Sequence, residues 1–198
     1  PEGIAQAFVL AEEEIAGNSV ALILGDNLFY GYGFSEILKR AINSQVGSTV
    51  FGYRVTDPER FGVIEFDNTG KAISIEEKPT APKSSYAVTG LYFYDSQVVD
   101  FAKQLKPSAR GELEITDINK RYLDAGQLKV ETLGRGFAWL DTGTHKAMAD
   151  AGVFINSIEA RQGVKVACLE EIAFRNGWID LEMMKERSRE LSKSDYGS

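Results

Sequence analysis

Cysteine and histidine are scarce in this sequence, with one residue of each among 198. A single cysteine cannot form an internal disulfide, and the two residues together are too few for the usual His/Cys ligand sets of zinc. The low cysteine content favours a reducing, cytoplasmic location. Any metal bound by this chain is therefore expected to have oxygen ligands.

Long apolar runs and a basic face are also missing. No stretch approaches the roughly 20 apolar residues that a membrane-spanning helix needs, so no membrane insertion is expected. The formal net charge of -7 and a pI near 4.9 argue against a nucleic-acid surface, which must neutralise phosphates. Free nucleotides remain possible, because a metal can bridge carboxylates to phosphates. The chain starts Pro-Glu-Gly without a recognisable targeting segment, and we expect it to be part of a longer protein.

Hydrophobic periodicity predicts an α/β protein. Helical spacing covers residues 4–15 and 34–42, and short β-rich runs follow each of them at 20–24 and 48–55. The continuous apolar run at 20–24 is typical of a strand buried on both faces of a parallel sheet. Alternating helices and strands indicate βαβ units.

The middle of the chain predicts an antiparallel insertion. Residues 61–66 and 71–75 are joined by Asp-Asn-Thr-Gly, which favours a hairpin. Further strands are predicted at 86–94, 128–133 and 137–140, and helices at 98–105 and 115–125. A long helix around 148–158 and two short helical patterns after residue 169 complete the chain. The pattern predicts a mostly parallel sheet with an antiparallel insertion and C-terminal helices.

Two aspartates directly follow predicted strands. In open α/β sheets ligands bind beyond the carboxyl ends of the strands, and Asp26 and Asp141 both have that position. Two converging carboxylates would suit Mg²⁺, which completes its shell with phosphate oxygens and water. The alternative is that each aspartate caps a helix or turn, since Asp-Asn and Asp-Thr-Gly-Thr are also good capping sequences. The pattern alone favours capping over metal binding.

Three further charged residues are weaker candidates. Glu77 and Lys78 end a predicted strand just before Pro79 and could contact a sugar hydroxyl and a phosphate, although such charges are more often only solvated. Arg110 has the planar fork that suits phosphate oxygens. The Gly31-Tyr32-Gly33 segment suggests a dinucleotide fingerprint, but Glu36 occupies the place of its third glycine. A Rossmann oxidoreductase is therefore disfavoured.

The order of the motifs resembles one family, the bacterial sugar nucleotidyltransferases. The resemblance spans nearly the whole chain, which makes the combination far more specific than any single motif. The matching segments are PEGIAQAF (1–8), LILGDNLFYG (22–31), FGVIEFD (61–67), EEKP (76–79), YAVTGLYFYD (86–95), ARGELEITDIN (109–119), AWLDTGT (138–144) and EEIAFR (170–175).

The resemblance implies a Rossmann-like nucleotidyltransferase fold and a specific activity. It implies transfer of a thymidylyl group from dTTP to glucose 1-phosphate, which gives dTDP-glucose and pyrophosphate and leads to dTDP-rhamnose and cell-surface polysaccharide. By the same resemblance Asp26 and Asp141 would hold Mg²⁺, while Lys78 and Arg110 would bind the sugar phosphate. Gly3 would contact the thymine through its backbone. The glucose pocket would be lined by Phe61, Gly62, Glu77, Val88, Thr89 and Tyr92.

One family feature is absent from the chain. Members begin with a strand and a phosphate loop of the form Gly-Gly-x-Gly-Thr-Arg-Leu, and the sequence contains no such stretch. The chain enters after about 80 residues of the family pattern, roughly half a domain of usual size, so the first strands are expected to be missing. We therefore expect the chain alone to be nearly inactive, and its strand at 20–24 to lack a neighbour, which favours homo-oligomers, strand exchange or partial disorder.

The resemblance also predicts the organisation of the chain. Residues 1–163 would form the partial catalytic domain, with its sugar-binding and metal-binding half, and residues 164–198 a helical segment with an interface or regulatory role. Glu171, Ile172 and Arg175 would match a second, regulatory nucleotide site of the family. A non-catalytic module that binds a sugar phosphate or nucleotide is the alternative to an enzyme.

Overall fold

A computed structural model describes residues 2–44, 46–194 and 196–197. The chain forms two compact units, residues 1–142 and 143–198. The described strands all lie in the first unit: β1 (Val20–Ile23), β2 (Asn27–Gly31), β3 (Ser48–Arg54), β4 (Gly62–Phe66), β5 (Ala72–Glu77), β6 (Tyr86–Tyr94), β7 (Leu128–Leu133) and β8 (Phe137–Asp141). Its helices are α1 (Gln6–Leu10), α2 (Glu12–Ile15), α3 (Phe34–Ile42), α4 (Val98–Lys103) and α5 (Ile115–Asp124), with a 3₁₀ turn at Pro58–Arg60.

The main sheet is organised around β6. Its strand order is β5-β4-β6-β3-β7, and β1 pairs with β6 on the same side as β4. This is possible because β6 is nine residues long. Its start pairs with β4 through Tyr86 and Ala87, and its end pairs with β1 through residues 91–94. One long strand therefore supports both the hairpin β4–β5 and the edge strand β1.

The α/β fold class is confirmed, but the strand directions differ from the expected mostly parallel sheet. Among the described strands only β3 and β7 pair in parallel, and every other ladder is antiparallel. The reason is that β6 occupies the centre and runs opposite to β1, β3 and β4. The hairpin predicted at Asp67–Gly70 is confirmed by the Gly70 N–H bond to the Asp67 carbonyl, at 3.0 Å.

The first two predicted elements also need correction. The single helix predicted at 4–15 is divided into α1 and α2 at Ala11. Strand β1 is not buried on both faces, because Ala21 is exposed and Ile23 is 60% exposed. Within the described part of the chain β1 pairs with β6 alone, so the other edge of this strand has no paired strand there.

Two hydrophobic clusters lie in the first unit. The larger one joins α1, α4 and α5 to the sheet, and Phe8 meets the edge of the Tyr94 ring at 5.4 Å. Helix α5 contributes Ile115, Ile118 and Tyr122, whose three- and four-residue spacing puts them on one buried face. The smaller cluster packs α3 and β2 against Phe51 of β3. These contacts fix the strands whose ends carry the candidate site.

The second unit is helical. It contains α6 (His145–Gln162), α7 (Leu169–Arg175) and α8 (Leu181–Glu190). The Thr144 hydroxyl caps α6 and the Asp180 carboxylate caps α8. The compact units divide between residues 142 and 143, whereas the functional boundary after residue 163 stays a prediction. Among the described residues, no helix has both the length and the apolar character needed to cross a membrane.

Candidate active site

The first part of the site is a short ladder that the sequence pattern did not predict. Strand β2 pairs antiparallel with β8, so that Asn27 lies opposite Asp141. The ladder continues past β2, where the Asp26 carbonyl accepts hydrogen bonds from the Thr142 N–H at 2.7 Å and the Thr142 hydroxyl at 2.9 Å. The structure therefore brings Asp26 and Asp141 together at one end of this two-stranded ladder, although 115 positions separate them in the sequence.

Neither aspartate acts as a helix cap. Helix α3 begins after Gly33 and helix α6 after Thr144. The Asp26 carboxylate is exposed and accepts a hydrogen bond from the Asn27 side chain at 2.8 Å. The Asp141 carboxylate is 3.7 Å from the Arg60 guanidinium, and its side chain is 23% exposed. The structure therefore does not support helix capping, but Asp26 does lie in a turn, which the Asn27 N–H closes by a hydrogen bond to the Leu24 carbonyl at 3.1 Å. Metal binding by the two aspartates stays a prediction.

The donor set at this end fits a hard divalent cation. Mg²⁺ is usually held by one or two carboxylates, and its remaining ligands are water and substrate phosphates. Two neighbouring aspartates supply this set. In residues 2–44, 46–194 and 196–197 no cluster of three or more His, Cys, Asp or Glu side chains could hold a metal without a substrate. Asp26 and Asp141 are therefore candidate ligands, and their role stays a prediction.

The second part of the site surrounds Glu77 at the end of β5. The Thr116 hydroxyl donates to Glu77 Oε2, and the Arg110 guanidinium is 3.5 Å from Glu77 Oε1. A Cβ added at Gly62 would lie 3.1 Å from Thr116 Oγ1 and 3.5 Å from Glu77 Oε2. The glycine thus keeps space free beside the carboxylate. Thr116 is a site residue that the sequence motifs alone did not single out.

A cleft of about 400 Å³ opens beside this carboxylate. Glu77, Arg110, Glu114 and Lys120 are among its lining residues. Arg110 is surrounded by acidic groups, since it also lies 3.1 Å from Glu112 and 3.6 Å from Glu114. The Arg110 side chain is 41% exposed and that of Glu112 is 44% exposed, so a phosphate entering the cleft could replace this surface ion pair at little cost. Glu114, in contrast, is buried.

Strand β6 contributes the buried wall of the site. Val88, Thr89 and Tyr92 are all buried, and the Thr89 hydroxyl has no hydrogen-bond partner among the described residues. Burial, followed by the charges of Glu77 and Asp26, raises the pKa of the Tyr92 hydroxyl far above its usual value of 10.0. The Tyr92 side chain is therefore neutral, and its hydroxyl interacts electrostatically with the Glu77 and Asp26 carboxylates.

Phe61 connects the two parts of the site. Its ring meets the Trp139 ring at 5.0 Å with an interplanar angle of 60°. Trp139 lies two residues before Asp141 on β8, and Phe61 directly precedes Gly62. The residues predicted to bind the sugar and the aspartates predicted to bind the metal therefore lie in one region of the first unit.

Of the remaining predicted residues, Lys78 adjoins Glu77 in the first unit, and three others lie in the second unit. Lys78 follows β5 with a φ of 41°, its side chain is exposed, and its N–H bonds the Phe61 carbonyl at 2.9 Å. Gly3 packs on the backbone of Leu113, three residues after Arg110. Glu171, Ile172 and Arg175 share helix α7 in the second unit, where Arg175 and Glu171 form an ion pair. Their regulatory role stays a prediction.

Comparison with known proteins identifies the protein family that this chain matches. The profile of the family described as "Nucleotidyl transferase" matches residues 1–158. A glucose-1-phosphate thymidylyltransferase of Neisseria meningitidis is 56% identical over 197 residues, which cover 100% of this chain and 68% of that protein. The protein of the same name from Mycobacterium tuberculosis is 54% identical over 198 residues, again 68% of its length.

Solved structures agree with the sequence relatives. A Bacillus anthracis protein described as a glucose-1-phosphate thymidylyltransferase, in complex with sucrose, has a TM-score of 0.69 and 47% identity, and the match covers 77% of this chain and 60% of that chain. UDP-glucose pyrophosphorylase in complex with UDP-glucose gives a TM-score of 0.68 at 22% identity, over 81% of this chain and 63% of that one. The second comparison supports the fold alone. The chain spans about two thirds of the length of these relatives.

Proposed function

We propose, from the premise that this chain belongs to the nucleotidyl transferase family, that it provides the sugar-phosphate half and the metal half of a thymidylyltransferase site. The complete reaction would transfer a thymidylyl group from dTTP to glucose 1-phosphate, and would release dTDP-glucose and pyrophosphate. The P–O bond to the leaving pyrophosphate breaks as the sugar-phosphate oxygen bonds the α-phosphorus.

The observation that carries the proposal is the setting of Glu77. Its carboxylate is oriented by the Thr116 hydroxyl at the edge of a cleft, beside the Gly62 backbone and the Arg110 guanidinium. A fixed carboxylate can accept hydrogen bonds from two sugar hydroxyls, and a wrong epimer would leave such a group unpaired. The buried Thr89 hydroxyl is a further polar group that a ligand could satisfy.

The chemistry needs no general base from the protein. A sugar phosphate is already an anionic nucleophile at neutral pH, so catalysis depends on alignment and on neutralisation of charge. In the proposed reaction Lys78 and Arg110 bind the sugar phosphate and hold it in line with the α-phosphate. Arg110 would exchange its exposed contact with Glu112 for the phosphate oxygens.

Asp26 and Asp141 would hold a divalent cation, which we take to be Mg²⁺. When bound, this cation supplies positive charge to the triphosphate oxygens. The fit rests on the two carboxylates at one end of the β2–β8 ladder. Gly3 would contact the base, and Glu171, Ile172 and Arg175 would belong to a separate regulatory nucleotide site.

The alternative function is binding without turnover. The sequence contains no Gly-Gly-x-Gly-Thr-Arg-Leu loop, and loss of one positioned donor to a transition state commonly costs 100-fold or more in rate. We therefore propose that this chain binds glucose 1-phosphate but releases little pyrophosphate from dTTP alone. Binding with measurable Mg²⁺-dependent turnover would favour the enzyme, and binding without it would favour the module.

Replacement of Glu77 by glutamine is expected to weaken glucose 1-phosphate binding by about 10-fold or more, because hydrogen bonds to a charged acceptor contribute about 1.5–3 kcal/mol. The measurement is titration by calorimetry or NMR, with galactose 1-phosphate as the epimer. The matched control is Glu65→Gln, since Glu65 also lies on a strand, accepts a hydroxyl bond from Ser74 and contacts a lysine. Equal affinity in E77Q and the wild-type chain would refute the assignment.

A further inference from the structure

Asn27 makes three side-chain hydrogen bonds that join separate parts of the site. Its Oδ1 accepts from the Gly90 N–H at 2.9 Å and from the Trp139 indole N–H at 2.6 Å. Its Nδ2 donates to Asp26 Oδ1 at 2.8 Å. One short side chain therefore contacts the buried strand β6, the strand β8 that carries Asp141, and the carboxylate of Asp26.

The chemistry of these partners fixes the orientation of the amide. A backbone N–H and an indole N–H are donors only, so the atom that faces both of them must be the amide oxygen. The amide nitrogen then faces Asp26, where the carboxylate acts as the acceptor. An asparagine satisfies all three partners at once, whereas an aspartate in the same place would offer Asp26 no donor.

The backbone approaches this side chain closely. A Cβ added at Gly90 would lie 2.6 Å from both Asn27 Cγ and Oδ1, which is far inside van der Waals contact. Gly90 is buried in the middle of β6, and its carbonyl also accepts a hydrogen bond from the Leu24 N–H at 2.8 Å. The glycine therefore provides the space that the amide needs, and any side chain there would displace it.

Without this bridge, the Asp26 carboxylate would have little to orient it. Asp26 is exposed, and its other hydrogen bonds within the described residues are made by its main-chain carbonyl. An exposed aspartate samples several rotamers, and restricting it on metal binding costs conformational entropy. A hydrogen bond from a half-buried amide that two further bonds hold in place limits that motion before a metal arrives.

We infer that Asn27 is a positioning residue that holds the Asp26 carboxylate ready for the divalent cation, acting through its anchorage on Gly90 and Trp139. This inference rests on the proposed function, because it assumes that Asp26 is a metal ligand. Outer-shell partners of metal ligands commonly contribute 10–100-fold to metal affinity. The same contribution is expected from Asn27.

The test uses Mn²⁺ alone as the probe, with binding to the full chain followed by electron paramagnetic resonance. Asn27→Leu keeps the branched shape but loses all three bonds, and is expected to weaken Mn²⁺ binding by about 10-fold or more. Gly90→Ala leaves both aspartates and Asn27 in the sequence but displaces the amide, and is expected to give a similar loss. Gly25→Ala is the matched control, because it adjoins Asp26 and its added Cβ has no atom within 4 Å.

A double-mutant cycle separates positioning from a general structural effect. In an Asp26→Asn background the residual Mn²⁺ affinity, held by Asp141, is expected to be the same with and without N27L. An equal loss from N27L in both backgrounds would overturn the inference, as would unchanged affinity in N27L. Absence of Mn²⁺ binding by the wild-type chain would instead refute the metal site of the proposed function, and so the two failures are distinguishable.

Discussion

Replacement of Asp95 by asparagine is expected to lower the free energy of unfolding of the first unit by about 3 kcal/mol, because buried donors lose a charged acceptor. Asp95 is 8% exposed and follows β6. Its carboxylate accepts from the Gly47 N–H at 2.7 Å, the Tyr122 hydroxyl at 2.8 Å and the Gln97 side-chain amide at 2.9 Å. An asparagine would turn an N–H₂ group toward at least one of these donors.

The same network predicts how stability changes with pH. Burial opposes ionisation of Asp95, but the hydrogen bonds from Gly47, Gln97 and Tyr122 outweigh it and lower the pKa below the ordinary value of 3.8. A lowered pKa gives stability that is fully present above pH 4 and is lost as the pH falls through the folded-state value. The difference in unfolding free energy between wild type and D95N is therefore expected to be largest near neutral pH and smaller in acid.

Urea unfolding followed by Trp139 fluorescence measures this effect. Trp178, in the second unit, is 73% exposed, and a Trp178→Phe background restricts the signal to the first unit, where Trp139 is buried. The control is Asp100→Asn on α4, which makes the same chemical change at an exposed position. Equal stability of D95N and D100N at pH 7 would contradict the assigned role of the network.

Local pattern predicted most of the fold because its elements have a clear period or composition. Helix α3 and strands β6 and β7 have the predicted bounds, since each combines apolar periodicity or β-branched and aromatic residues with clear stop signals. The sequence does not predict strand β2, because Asn27–Gly31 begins with an asparagine and ends with a glycine. Both residue types are common in turns. Its strand conformation depends on pairing with β8, more than 100 positions away, and no local window contains that information.

The site was predicted in part for the same reason. Motif order singles out Asp26, Asp141 and Glu77 as candidates, because these residues belong to contiguous matching segments, and their roles stay predictions. The residues that orient them were not identified: Thr116 reaches Glu77 from α5, and Asn27 reaches Gly90 and Trp139 across the fold. A threonine in a helix and an asparagine after an aspartate have many ordinary local roles. Only the tertiary structure shows that these two side chains donate hydrogen bonds to the Glu77 and Asp26 carboxylates.

Replacement of Gly47 by alanine is expected to lower the free energy of unfolding by about 3–5 kcal/mol, because backbone strain and a steric clash add together. Gly47 has a φ of +86°, where alanine is strained, and its added Cβ would lie 2.2 Å from the Gln127 carbonyl oxygen. Strain of this kind costs about 1–3 kcal/mol. Relief of the clash must in addition move the backbone that pairs Ser48 with Gln127 at 2.9 Å and Gly47 with Asp95.

Gly17→Ala separates the two contributions. Gly17 has a similar φ of +76°, but its added Cβ has no atom within 4 Å, so this variant has the strain without the clash. The difference in unfolding free energy between G47A and G17A therefore measures the contact with Gln127, and equal values would show that no such contact exists. Gly47 lies at the start of β3, away from Glu77 and Arg110. G47A is thus expected to bind glucose 1-phosphate with wild-type affinity at temperatures where it is folded, because the loss concerns the anchorage of the sheet and not the cleft.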